Sequence, residues 1–302
     1  VQAQNGGLTI AVTFPSIKCD VEKLTCSDDV VFSVVPPGVD PHEYELSLKD
    51  VEKLALADII VSTAHTPFEM SIREKGEIKG VLIEITRIPG IKILRNPITG
   101  QPNYHMPIYD PHNYLVFMKA LADEMSRLNP ECSTWYYERL NQIVSYIERL
   151  RANTPKVNVT ALAATPIAQY AVEWLGVKVN YLIVKEHGVP STPKEISAIE
   201  EVAKKGEIDL VILVGSTSTA ANGKAREIAE KYGIPTLVIP SPLEEKSICE
   251  KLTEIVKQLE VKVVGKTNSF KGEVSDQSFY IFTGMIVSII VLSMILIGII
   301  RR

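Results

Sequence analysis

The chain has 302 residues, a formal net charge of −4 and an apolar fraction of 46%. That length is more than one hydrophobic core commonly organises and suggests two domains. The near-balanced charge implies neither nucleic acid nor an acidic surface as a partner, and the four cysteines fall in no zinc-finger spacing.

Taken in chain order, apolar runs over 8–14, 30–35, 58–61 and 81–85 alternate with amphipathic helical patterns, which predicts parallel βαβ units. The run Val34-Val35-Pro36-Pro37-Gly38-Val39-Asp40-Pro41-His42 carries a strand end through a stiff turn to a histidine. A helix follows, with Ser47 as its N-cap. His42 is thereby expected on a strand-to-helix loop, where open parallel sheets place their ligands. His65 follows the next strand on the same edge of the sheet. Cys19 and Cys26 flank a short helical segment and are expected to pair if the chain lies outside the cell, whereas Cys132 and Cys249 are too far apart in sequence to be assigned.

Residues 88–110 break the alternation, because Pro89, Gly90, Pro97, Gly100, Pro102 and Pro107 sustain neither helix nor strand. A connection of that length in a compact domain is functional or disordered, and this one carries His105. His112, after Asp110-Pro111, is expected to cap the following helix or face solvent. From 131 to 152 there is no proline or glycine, and Trp135, Leu140, Ile143, Ile147 and Leu150 form an apolar stripe. Such a helix would be about 33 Å long, enough to join two lobes. A second set of strands is expected over 157–163, 177–184, 210–214 and 236–239, with a last helix over 243–259. His187 falls in the loop after the second of these strands.

Beyond them, residues 262–277 read as a polar tether. Residues 279–300 carry no charge and, as a helix, would span a bilayer core. Arg301 and Arg302 favour the cytoplasmic side, which places the rest of the chain outside the cell if an N-terminal signal has been removed. The expected fold is α/β, with two Rossmann-like lobes with parallel sheets joined by a long spine helix. The boundaries are an N-terminal lobe over 1–129, the spine over 130–153, a C-terminal lobe over 154–260, a tether over 261–278 and a transmembrane helix over 279–300. Gly215-Ser216-Thr217-Ser218-Thr219-Ala220 lacks the lysine of a phosphate loop and reads as a helix cap. No nucleophile elbow or acid/base pair supports an enzyme.

Two motifs carry a resemblance. Val35-Pro36-Pro37-Gly38-Val39-Asp40-Pro41-His42-Glu43-Tyr44-Glu45, followed by Ala57-Asp58-Ile59-Ile60, resembles the first metal-ligand motif of the zinc- and manganese-binding solute-binding proteins that feed ABC importers. His105-Met106-Pro107-Ile108-Tyr109-Asp110-Pro111-His112-Asn113 is similar to the second motif of that family, with one extra residue in the spacing. The long helix after Asn129-Pro130-Glu131 is similar to the family's spine, and the resemblance spans residues 8–260.

The resemblance implies a metal between the lobes, held by His42, His105 and ligands from the second lobe. Those last ligands do not carry over: Thr165 stands near the place of the family's histidine or glutamate, and Pro240-Ser241-Pro242 at that of its aspartate. Loops at the carboxyl ends of parallel strands converge, so His65 and His187 are the candidates to complete the set. A set dominated by imidazole suits zinc or copper better than manganese. Asp40, Glu43, Glu69 and Glu186 are available to orient the rings, and affinity is expected to fall as the pH drops through about 6.5.

The expected function is that of an extracellular, membrane-anchored protein that captures a divalent transition metal, zinc before manganese or copper, and delivers it to an ABC permease. The alternative is a cell-surface structural or adhesive protein that keeps the fold without transport. A carrier of a larger metal chelate is a third reading.

Overall fold

A computed structural model describes residues 6–74, 78–215 and 219–260. Its elements up to Gln258 form one compact unit. The first half contains β1 (Thr9–Val12), α1 (Pro15–Val21), β2 (Val30–Ser33), α2 (Leu48–Ala55), β3 (Ile59–Ser62), α3 (Pro67–Glu74) and β4 (Val81–Glu84). Two long helices follow, α4 (Pro111–Leu128) and α5 (Ser133–Asn153). The second half contains β5 (Val159–Ala163), α6 (Ala168–Val172), β6 (Val177–Leu182), β7 (Val184–Glu186), β8 (Val189–Pro190), α7 (Pro193–Lys204), β9 (Leu210–Val214), α8 (Ala220–Tyr232), β10 (Thr236–Ile239) and α9 (Ile248–Leu259).

The first sheet has the order β2-β1-β3-β4 and the second β10-β9-β5-β6, with every neighbouring pair parallel. Each sheet reverses its winding beside its first strand, so its crossovers lie on both faces and its middle strands are covered from both sides. Ile59, Ile60 and Val61 are accordingly wholly buried. One core gathers Ala11, Val35, Ile60 and Phe68, and the other Leu162, Val211, Ala225 and Ile228. The carboxyl ends of the strands, where winding reverses, open the crevice that holds the histidines. The pair β7–β8 is a short antiparallel hairpin outside both sheets.

Local chemistry sets the loop that carries His42. Val39 N donates to Pro36 O across 3.3 Å, and Gly38 takes φ +80°, the conformation that a type II turn requires and that glycine adopts without strain. Ser47 then opens α2 through a capping box with Asp50. The spine also forms as the apolar stripe predicts, with α5 preceded by a short 3-10 turn at Pro130–Cys132 and packed along α4.

The expected Cys19–Cys26 pairing is overturned. Cys26 is bonded to Cys132, 106 residues away with a Cα separation of 6.2 Å, and Cys19 is a free, half-buried thiol within α1. Docking of the start of α5 brings the partners together: Trp135 Nε1 donates to Thr25 O at 2.8 Å, and Tyr136 donates its hydroxyl to Asp29 at 2.9 Å. The expected tether and membrane segment lie outside the described residues. Among the described residues no helix is long and apolar enough to cross a membrane.

The long connection between β4 and α4 is ordered by the second half of the chain. Leu94 N donates to the Tyr170 hydroxyl at 2.9 Å, Gln169 Nε2 to Arg95 O at 2.8 Å, and Asn96 Nδ2 to Lys185 O at 2.6 Å. Tyr109 closes the set by donating to Pro240 O at 2.8 Å. His105 therefore belongs to the first half by sequence and to the second by attachment.

Candidate metal centre

Three histidines meet at the mouth of the crevice. His42 lies on the loop after β2, His65 on the loop after β3 and His105 on the long connection, and each offers a ligand atom within 4.8 Å of the other two. Ring centroids are 5.3 Å apart for His42 and His65, 5.4 Å for His65 and His105, and 6.2 Å for His42 and His105. Two imidazoles bound tetrahedrally to one zinc, with nitrogens about 2.0–2.1 Å from it, have centroids about 5 Å apart. The triad is close to that arrangement as it stands.

Each ring is held from behind by the residue two positions earlier. Asp40 Oδ1 accepts from His42 N at 2.9 Å and lies 3.1 Å from His42 Nδ1. Asn103 Oδ1 accepts from His105 N and lies next to His105 Nδ1, both at 3.0 Å, while its Nδ2 donates to Pro166 O and Gln169 Oε1. Thr63 Oγ1 lies 2.9 Å from His65 Nδ1 and donates to Glu69 Oε2 at 2.7 Å. A carboxylate has no proton to give, the Asn103 amide hydrogens are committed elsewhere, and the Thr63 proton goes to Glu69. All three Nδ1 atoms therefore carry the ring hydrogen, and all three Nε2 lone pairs are left for the cavity. His42 Nε2 and His65 Nε2 are buried with no hydrogen-bond partner. Buried polar atoms are almost always paired, so two orphaned imidazole nitrogens lining one cavity are available to a cation.

Glu69 is the anchor of this arrangement. Wholly enclosed, it accepts from Thr13 Oγ1, Ser62 Oγ, Thr63 N and Thr66 Oγ1 as well as from Thr63 Oγ1. Burial pushes its carboxyl up, yet the hydrogen bonds from Thr13 and Thr63, the neighbouring His65 and the Thr66 amide together hold it below the usual carboxylate range. Burial pushes His65 down to about 4, against the pull of Glu69. It pushes His105 down to about 3, helped by the other three rings. With His65 neutral, its 3.9 Å approach to Glu69 is not an ion pair. The expected loss of binding near pH 6.5 therefore does not arise from these two rings.

The backbone is strained at the same place. Among the described residues only Ala64 (φ 58°) and Met106 (φ 50°) have positive φ without being glycine. One precedes His65 and the other follows His105, which fits strain being retained where function needs a fixed geometry.

His187 stands apart from the triad. It is exposed on the β7–β8 hairpin, and its ring stacks on His42 with centroids 4.2 Å apart and planes within 6° of parallel. His187 lines the same cavity, but its ligand atom gathers with those of Asp40 and His42 and not with the triad. His112 Nε2 donates to Gly90 O, 3.2 Å away, and its amide donates to Asp110 Oδ1. The second half contributes hydroxyls: Thr165 and Ser241 line the same cavity of about 300 Å³, and Thr165 Oγ1 is buried without a partner.

Asp40 and Glu69 do support the rings as the sequence suggests, and Glu186 Oε2 lies 3.9 Å from His105 Nδ1. Thr63 and Asn103 escape a reading that looks only for carboxylates. The signal that finds them is an oxygen acceptor two residues before the histidine: Asp40-Pro41-His42, Thr63-Ala64-His65 and Asn103-Tyr104-His105.

Two parallel sheets on a helical spine, with three histidines of the first half and hydroxyls of the second lining one crevice at the strand ends, define a substrate-binding protein of the ABC metal-importer class. The chain belongs to the family described as zinc-uptake complex component A, periplasmic, which matches residues 10–263. It is 22% identical over 231 residues to the manganese ABC transporter substrate-binding lipoprotein PsaA of Streptococcus mitis, covering 71% of this chain and 74% of that protein. It is 20% identical over 236 residues to the iron-binding protein YfeA of Yersinia pestis, covering 74% of each. The crystal structure of ZnuA shares the fold with a TM-score of 0.68 at 19% identity, covering 85% of this chain and 99% of that one.

Proposed function

We propose that this chain captures one divalent transition-metal ion on His42, His65 and His105 and delivers it to an ABC permease, with no catalytic step of its own. The observation that carries the reading is the pair of buried, unpartnered Nε2 atoms of His42 and His65 beside His105. An all-nitrogen donor set suits zinc, or copper, better than the oxygen-preferring manganese, although relatives are named for manganese and for iron. Three protein ligands leave a fourth position for water, with the Thr165 hydroxyl in the same cavity. The uncharged stretch 279–300 is proposed to anchor the domain at the cell surface, with Arg301 and Arg302 on the cytoplasmic side.

A fold kept only for adhesion or structure has no need of three rings held in one tautomer around an apolar-walled cavity, which favours capture over that alternative. Metal analysis of the purified protein tests the proposal. One zinc per chain is expected, lost in His65→Ala and in His105→Ala. Retention of metal in both variants would sink it.

A further inference from the structure

A second group of ligand atoms lies beside the triad. Asp40, His42 and His187 each offer one within 4.8 Å of the others. Unlike the triad, this group opens to solvent, since the Asp40 side chain is 47% accessible and His187 is exposed. His42 belongs to both groups. Its Nδ1 lies 3.1 Å from Asp40 Oδ1 on the open side, and its Nε2 is buried on the closed side. His187 stacks on His42 and lies alongside Asp40.

We infer that Asp40, His42 and His187 form an outer, transient site for a divalent cation, through which the ion passes to the buried triad. This inference rests on the triad being the metal site. The outer group supplies what the inner one lacks, an exposed carboxylate whose charge draws a dication from solution. Two imidazoles and one carboxylate leave the rest of the shell to water, so the ion exchanges quickly there. A neutral imidazole has a single lone pair, so a cation on Nδ1 leaves the hydrogen on Nε2 and closes the inner position. Handover reverses this: the ring releases its Nε2 proton to water and takes one from water at Nδ1, where it is again shared with Asp40. The proton count is unchanged, and one ion is held at a time.

The test mixes the full chain with cobalt(II) by stopped flow and follows release with an excess of chelator. His187→Phe keeps a ring stacked on His42 and removes only the outer donor. A site met in passing alters the barrier and not the end states, so association and release should both slow by about tenfold or more, with Kd unchanged within about twofold. Asp40→Asn, which retains an oxygen for His42, should also slow association.

An association rate of His187→Phe equal to that of the wild type overturns the inference. So does a Kd loosened through faster release alone, which would make His187 a standing ligand, and so does uptake of two ions per chain. Cobalt binding absent from the wild type, or retained in a His65→Ala/His105→Ala double variant, sinks the triad itself and this inference with it, so the two failures are told apart.

Discussion

Glu69 accepts the His65 amide at 3.1 Å and sits one hydroxyl away from its ring, taking the Thr63 proton at 2.7 Å while Thr63 faces the ring at 2.9 Å. The carboxylate thereby decides which nitrogen of His65 looks into the cavity, although its own oxygens are taken up by Thr13, Ser62, Thr63 and Thr66. Glu69→Gln would turn amide hydrogens toward donors that now bond to oxygen, and each buried donor left unpaired costs about 1–3 kcal/mol. Zinc affinity should fall about 10–100-fold, the usual effect of removing a group that orients a ligand, and the thermal midpoint should drop as well. Thr63→Val cuts only the link, so it should weaken zinc by about tenfold with a smaller loss of stability. Calorimetric titration beside thermal melts separates the two. Wild-type affinity in Thr63→Val would show that His65 is oriented by packing alone.

Burial of the rings makes acid the natural way to open the metal-free protein. His65 and His105 have folded-state values depressed to about 4 and about 3, below the ordinary histidine value of 6.5. For depressed groups the stabilising contribution is fully present above the unfolded value and is lost as pH falls through the folded one. Metal-free protein should thus lose on the order of a few kcal/mol between about pH 6.5 and 3, and the ring resonances of these two histidines should not titrate between about pH 8 and 5. Ring signals that moved with a midpoint near 6.5 would mean that water reaches the triad freely.

Much of this was legible in the sequence, and the gaps share a cause. Pro36-Pro37-Gly38 and Ser47 announce their turn and cap because those residue types act on the backbone within a few positions. His42, His65 and His187 stand out because each falls in a loop after a strand, and His105 because it lies on a connection too rich in proline and glycine for a regular element. The supports of His65 and His105 do not, because aspartate, threonine and asparagine perform one task with three different side chains. The partner of Cys26 and the attachment of residues 91–109 to the second half are fixed by docking of distant surfaces, which no local periodicity records.

That attachment makes Asn103 the point where the second half of the chain meets the histidine triad. It is wholly buried, holds His105 with its oxygen and grips Pro166 and Gln169 with its nitrogen. Asn103→Ala should free the His105 ring and strand the Pro166 carbonyl, weakening zinc by about tenfold or more and destabilising the fold by about 1–3 kcal/mol. Gln169→Ala leaves the Asn103 oxygen in place, so its effect on zinc should be smaller. Equal affinities for Asn103→Ala and the wild type would place control of His105 in the strained backbone at Met106.

The disulfide should be separable from metal binding, because the two lie at opposite ends of the first sheet. Cys26 precedes β2, at the amino ends of the parallel strands, whereas His42 and His65 follow the carboxyl ends of β2 and β3. Closing a loop across 106 residues removes much conformational freedom from the unfolded chain, and losing such a bond commonly costs about 2–5 kcal/mol. Cys26→Ser with Cys132→Ser should therefore lower the denaturation midpoint, with zinc affinity unchanged within about threefold. A larger change in affinity would mean that the seating of α5 on the first half is transmitted along the strands to the histidines, and that the spine takes part in setting the metal site.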